Sequence, residues 1–382
     1  MKAGLVTTGV EPAPGPEPKN GAFYRLTLAK HLQVPGRDPF RLVQFWGFVA
    51  CFIALEYWVI TAPTWWMAAP ASIPLALILV ALFNLLHELM HYSIVKNRTV
   101  TWFHGFVAGF FTGLTPDSWK NEHDAHHNHV GIAGEDPDAV YDLKMWREQD
   151  GIRKAVSLLP GTRNWISYLA RPFWWMGVHG QMLFTRFLAQ KNVSKPRKAL
   201  AIAVFVFDVL CQFAFVYTFG ARYMLWGFLV PVMIHNLLLT YFLLGTHLHS
   251  RRSDEKDPVL GSCSFDMGWL TFFYLDAGRH TEHHVYPQTS HRKLAEVQAK
   301  LKALFPDRYR LMTFAESIRA LESSGRVYVA DQILWHPERD FYASTLRVEN
   351  GKVVPPQQVP APFSEKPTPV EESALGQNVA QA

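Results

Sequence analysis

Four apolar runs dominate the chain, at residues 42–60, 71–86, 199–219 and 224–244, each bounded by charge or by turn-forming residues. At about 1.5 Å per helical residue such runs cross most or all of a bilayer core about 30 Å thick, so the pattern predicts about four transmembrane helices. Arg37, Asp38 and Arg41 precede the first run, Lys96 and Arg98 follow the second, Lys195, Arg197 and Lys198 precede the third, and Arg251 and Arg252 follow the fourth. Positive charge of this kind flanks the cytoplasmic ends of membrane helices. The stretch 61–70, with Pro63, Trp65, Trp66 and Pro70 and no charge, and the short Gly220-Ala221-Arg222 turn fall on the far side. Residues 102–114 are apolar but short and predict a re-entrant or interfacial segment, and 136–197 mix charge with aromatic patches, as helices lying in the cytoplasmic interface do. From Ser290 to Leu304 the spacing predicts an amphipathic helix with Ser290 as its N-cap. The expected fold is an all-α integral membrane protein whose spans carry a cytoplasmic helical cap. Its divisions are a disordered tail at 1–22, rich in alternating prolines, a membrane domain at 40–306, a cytoplasmic extension at 307–352, and a Pro- and Gln-rich disordered tail at 353–382.

Composition strengthens the membrane reading. Of 382 residues, 49% are hydrophobic, 14% aromatic and only 18% charged. The 37 basic residues exceed the 32 acidic ones without forming a dense stripe, which fits membrane flanking charge and argues against a nucleic-acid partner. The N-terminal stretch lacks an apolar signal region, and the C-terminal end carries no lipidation or retention signal. Cys51, Cys211 and Cys263 lie far apart, with neither a disulfide framework nor iron–sulfur spacing, and no nucleotide-binding or haem motif is evident. Any electrons used here come from a separate protein.

Three histidine clusters carry the chemistry: His87 and His91; His123, His126 and His127; and His280, His283 and His284. Spacings of three and four residues put the rings of each cluster on one helix face. Neutral imidazole is a ligand for zinc, iron, copper and nickel, and eight converging rings exceed what one metal takes, which points to a dimetal site. His247 and His249, at the end of the fourth apolar run, point about 200° apart on a continuing helix, so only one of them can face the metals. His235-Asn236 reads as a hydrogen-bonded bundle pair or as tunnel lining, Asp208 as a bundle residue, and Glu56 as an acid facing the bundle or the interface. His104, His129, His179, His291 and His336 read as structural or solvent-facing, and Lys120, Arg251, Arg252 and Arg279 as flanking charge that would also suit an anionic head group.

The ordered boxes His-x-x-x-His, His-x-x-His-His and His-x-x-His-His, the last followed by Val285-Tyr286-Pro287, resemble the membrane-bound fatty acid desaturase and hydroxylase superfamily, and the Glu135-Asp136-Pro137-Asp138 run resembles its acidic segment. The resemblance spans 40–306. It implies that the eight box histidines hold two non-haem irons, with His247 or His249 as an extra ligand, and that O₂ is the co-substrate. It also implies a lipid or fatty acyl substrate and a ferredoxin- or cytochrome-type donor with its reductase. Desaturation of an acyl chain is the expected reaction; hydroxylation of a lipid or alkane, or decarboxylation of a fatty acid to a terminal alkene, is the alternative on the same scaffold. A zinc hydrolase would present about three ligands and a nearby base, and a transporter would place ligands at mid-membrane on broken helices; neither matches. The expected location is a bacterial inner membrane rather than the endoplasmic reticulum, with the metals on the cytoplasmic face.

Overall fold

A computed structural model describes residues 17–33, 36–132, 134–138, 143–148, 165–253, 255–337 and 339–361. Its principal helices are α1 (Gly21–Leu28), α2 (Phe40–Thr61), α3 (Ser72–Met90), α4 (Arg98–Thr112), α5 (Pro116–His129), α6 (Trp165–Gly180), α7 (Lys195–Arg222), α8 (Val230–His247), α9 (His280–Val285), α10 (Ala295–Leu304) and α11 (Phe314–Ser323). Three helical stretches are long and apolar enough to cross a membrane: Phe40–Thr61, Trp65–Met90 and Lys195–His247. The last is 53 residues long, and Gly220 breaks it with φ 77° and ψ −168°, a conformation essentially reserved for glycine. Helix resumes through π-helical turns at Tyr223–Leu229. Beside the break, the Arg222 guanidinium donates to the carbonyls of Ile60 and Ala62 at the end of α2.

Helix α3 is apolar on every side because it is the central one, packed between α2, α4 and α8. Helix α2 instead leaves Val43, Ile53 and Tyr57 exposed, and α7 leaves Leu210 and Phe213 exposed, as lipid-facing helices do. The expected end of the second span at Leu86 is four residues early: helix continues through His87 to Met90, and His91 is its C-cap. The short segment at 102–114 is a 15-residue helix, α4, opened by Asn97 and closed by Gly113 in the left-handed conformation. Its Gly109 allows close approach to the next turn: a Cβ there would meet the Leu114 carbonyl oxygen at 2.4 Å.

Three expectations change outside the spans. The tail expected at 1–22 gives way to helix α1 at Gly21, capped by Asn20, because Tyr24 and Leu28 bury against Val285, Val297 and Leu301; residues 1–16 lie outside the described residues. The fold is mostly helical rather than all-α. Strands β1 (Ser264–Asp266) and β2 (Leu311–Thr313) pair in parallel, and β3 (Val327–Ala330), β4 (Ile333–His336), β5 (Phe341–Ser344), β6 (Arg347–Glu349), β7 (Lys352–Val354) and β8 (Gln358–Val359) make an antiparallel sheet, in order β3-β4-β5-β8, and a β6–β7 hairpin. Ordered structure therefore crosses the boundary expected at 353 and runs to Val359. Parts of the interfacial region expected at 136–197 lie outside the described residues; within it, α6 packs along α8.

Candidate metal centre

The box histidines arrive on three helix segments. Helix α3 ends in His87 and His91. Pro116 starts α5, an N-terminal position that tolerates the missing amide, and α5 brings His123, His126 and His127. The six-residue α9 brings His280, His283 and His284, and is anchored by Glu282, which accepts from Ser264 Oγ at 2.7 Å and from the Tyr309 hydroxyl. Ion pairs hold the other two: the buried Arg41 to Glu88 at 3.1 Å for α3, and the partly exposed Arg186 to Glu122 and Arg197 to Asp117 for α5.

These histidines form two groups. One is His87, His91, His123, His127 and His283; the other is His126, His247, His280 and His284; the potential ligand nitrogens of each group lie within 4.8 Å of one another. In the first, four Nε2 atoms close a ring, His87 to His123 at 2.9 Å, His123 to His127 at 3.0 Å, His127 to His283 at 3.0 Å and His283 to His87 at 2.9 Å. The fifth ring, His91, stands nearly equidistant from the four, with centroids 5.0, 4.9, 4.6 and 4.7 Å from His87, His123, His127 and His283, and its Nε2 makes no hydrogen bond. A metal–nitrogen bond of about 2.1 Å puts donors at right angles about 3.0 Å apart, the edge length of this ring. Five donors gathered this closely could hold a single ion. In the second group the Nε2 separations are 3.3 Å for His126 to His284, 3.0 Å for His284 to His280 and 2.7 Å for His280 to His247.

The helical period explains the sorting. Residues four apart, His87 and His91, His123 and His127, or His280 and His284, join the same group, whereas His126 and His283 go to the opposite group from their immediate neighbours His127 and His284. The sequence placed all rings of a cluster on one face; the structure divides that face between two centres.

Electrostatics favour the ligand form. Burial, with neighbouring imidazoles or Lys120 adding to it, holds His91, His123, His127, His280, His283 and His284 well below the usual histidine range. Burial acts on His126 in the same direction, but the Asp136 and Asp138 carboxylates outweigh it and raise its affinity for a proton. Asp136 accepts from His126 Nδ1 at 2.7 Å and from the Gly131 amide at 2.9 Å, the carboxylate–histidine arrangement that fixes which ring nitrogen faces a metal. His247 is oriented likewise, its Nδ1 lying 2.9 Å from the Gly261 carbonyl oxygen. For Asp136→Asn, which keeps the shape and removes the charge, we expect metal affinity to fall about 10- to 100-fold, read by competition against a chelator.

Between His247 and His249 the fold discriminates. His249 is turned away from both groups, buried against Ser324 Oγ with its carbonyl held by the Leu346 amide. His247→Ala is expected to lower the metal content of the purified protein, and His249→Ala to leave it unchanged while lowering the melting temperature; elemental analysis and thermal melts separate the two. His291, read from sequence as structural or solvent-facing, is buried beside the first group, its ring 4.8 Å from that of His283 and its Nδ1 3.2 Å from Glu88. Sequence reasoning also passed over Glu88, although the Glu between His87 and His91 was visible there. His129 points to solvent near Glu135, His104 packs against Phe45 and Trp46, and His336 sits in β4, all outside the two groups.

A narrow cavity reaches both groups. It has a volume of about 30 Å³, about the room of one water, and is lined by Phe83, Trp119, Met182, Phe242 and Leu243 and by the polar His87, His123, His280, Glu122 and Asp138. Trp119 stacks on His123 at 4.4 Å and 21°. Nine imidazoles, seven of them buried and two half-buried, stand at one end of an apolar bundle, with a small cavity beside them.

Comparison with known proteins agrees. The family model for fatty acid desaturase matches residues 63–315, about two thirds of the chain. The chain belongs to the fatty acid desaturase family. Among curated relatives it is similar to a chloroplastic omega-3 fatty acid desaturase of Glycine max, 24% identical over 77% of this chain and 67% of the relative. It is also similar to an sn-2 acyl-lipid omega-3 desaturase (ferredoxin) of Helianthus annuus, 22% identical over 86% and 78%, and to a sphingolipid delta(4)-desaturase of Xenopus tropicalis, 25% identical over 58% and 61%. Membership in the desaturase family implies an oxidoreductase of desaturase type, and the apolar spans and histidine groups fit its membrane location and metal binding.

Proposed function

We propose that this chain is an O₂-dependent di-iron desaturase of fatty acyl chains. The observation that carries the reading is the pair of histidine groups gathered at the end of the apolar helices in a chain of the desaturase family, with a small cavity touching both groups. The ring of four Nε2 atoms with His91 beside it, together with the four-histidine group, would suit two ions that prefer nitrogen and tolerate more than four donors, and the family resemblance makes iron the choice among them. When bound, the irons supply activation of O₂ and hydrogen abstraction from an unactivated methylene. The rest falls to the protein. His87, His91, His123, His127 and His283 hold one ion, and His126, His247, His280 and His284 the other. Phe83, Phe242 and Leu243 confine the chain, and Trp119 and Met182 keep water from the reacting carbons. Overall, hydrogen leaves each of two adjacent carbons, and with O₂, two electrons and two protons the products are an alkene and two waters.

Within this proposal α2, α3, α7 and α8 are four spans, with the break at Gly220 as the turn on the far side. The histidines lie at the end flanked by Lys96, Arg98, Arg197, Arg251 and Arg252, the cytoplasmic side by the distribution of positive charge. A separate ferredoxin-type donor with its reductase supplies electrons. The test is lipid and hydrocarbon profiling by mass spectrometry of cells expressing the chain with such a donor, beside a His284→Ala control. New acyl double bonds absent from the control are expected. Hydroxylated lipids or terminal alkenes in their place would show the sibling chemistry instead.

A further inference from the structure

Deep in the bundle, below the cavity, three polar side chains lie at positions that the metal centre does not use. His235, Asn236 and Asn84 are 2%, 3% and 0% exposed, on α8 and α3, which pack together. The His235 Nδ1 lies 3.2 Å from Asn236 Oδ1, and Asn84 Nδ2 donates to the Val80 carbonyl at 2.8 Å. Among the described residues His235 Nε2, Asn236 Nδ2 and Asn84 Oδ1 have no hydrogen-bond partner. Such atoms are costly in an apolar, membrane-spanning bundle, where water is not at hand to satisfy them, and polar groups kept there mark function.

Their chemistry selects a ligand. Because Asn236 Oδ1 accepts, His235 Nδ1 carries the proton and Nε2 is an acceptor. The three open atoms are therefore one donor, Asn236 Nδ2, and two acceptors, His235 Nε2 and Asn84 Oδ1. A hydroxyl both donates and accepts and can use them; a carboxylate or a ketone, which only accept, would leave the two acceptors unmatched. Their position selects a region of the substrate. His235 shares a face of α8 with Leu239, Phe242 and Leu243, roughly two turns and about 10 Å before the cavity-lining pair. Phe83, which lines the cavity, meets the His235 ring edge-on at 6.5 Å.

We propose that the cavity continues past Phe83 into a hydroxyl-binding site formed by His235, Asn236 and Asn84, and that the substrate is an acyl chain bearing a hydroxyl distal to the reacting carbons. This rests on the reading of the cavity as an acyl-chain site. The test is equilibrium displacement of a radiolabelled saturated fatty acid from the purified, iron-loaded full chain in detergent. The competitors are the unlabelled acid and same-length acids whose hydroxyl is stepped along the tail. One positional isomer is expected to displace the label at a concentration at least about tenfold lower than the plain acid, the effect of roughly one to two added hydrogen bonds. His235→Phe should erase that advantage and His235→Gln, which retains an acceptor, should keep part of it, with a cooperative thermal melt reporting that each variant is folded. If the plain acid binds and no isomer surpasses it, or if His235→Phe keeps the full advantage, the hydroxyl site is wrong and the acyl-chain reading stands. If the labelled acid does not bind saturably, both fall.

Discussion

His283→Ala is expected to bring product formation below detection and to leave the purified protein with about one metal ion where the parent holds about two. His283 Nε2 occupies one place in the ring of four Nε2 atoms, 2.9 Å from His87 and 3.0 Å from His127, so its loss opens two of the four edges at once. No neighbour can replace it. His291 is the next imidazole outward, but its ring lies against only the His87–His283 side of that ring, 5.1 Å from His87 and 4.8 Å from His283. Elemental analysis of protein from matched preparations, together with lipid profiling, checks the result. A variant that kept both metals and its turnover would remove this group from the list of metal sites.

The second large effect concerns stability. Arg41 and Glu88 are each 1% exposed and joined at 3.1 Å, with the guanidinium also donating to the Leu275 carbonyl at 2.6 Å and Glu88 held by Ser93. This network clamps the start of α2, the end of α3 and the loop before α9 around the first histidine group. Arg41→Met leaves a buried carboxylate without its cation and is expected to destabilise the fold by about 3–5 kcal/mol. Replacing both partners, Arg41→Met with Glu88→Gln, should return much of that loss, because no uncompensated charge remains. Thermal and denaturant melts of the detergent-solubilised protein measure both; equal destabilisation by the single and double variants would show that the pair is not coupled.

Much of this architecture is legible in the sequence because a bilayer imposes a length and a polarity on whatever crosses it. The four apolar runs and their basic flanks anticipated α2, α3, α7 and α8, and the break was placed at Gly220, where φ 77° admits little else. The clustered histidines were equally plain, since spacing on a helix is a geometric statement. What escaped depends on long-range contacts. His247 and His249 could not be separated from their spacing, because the choice turns on how far α8 continues before Ser324 captures the His249 ring. Glu88 and His291 meet only when the chain after α9 returns to α3. The C-terminal strands are a different failure. Asn350-Gly351, with φ values of 52° and 71°, is a tight hairpin turn between Arg347–Glu349 and Lys352–Val354, a local signal that the compositional reading of the tail overlooked. The start of α1 at Gly21 was hidden because the alternating prolines just before it set the character of the whole segment.

Adjacent residues serving opposite centres have one more consequence. His126 and His127, and again His283 and His284, are joined by a single peptide unit each, whose length the covalent chain does not allow to vary. The gap between the two histidine groups is therefore gauged by backbone. Inserting one residue between either pair would rotate the following ligand by about 100° and abolish both centres together, whereas the same insertion elsewhere in a loop would leave the gauge intact.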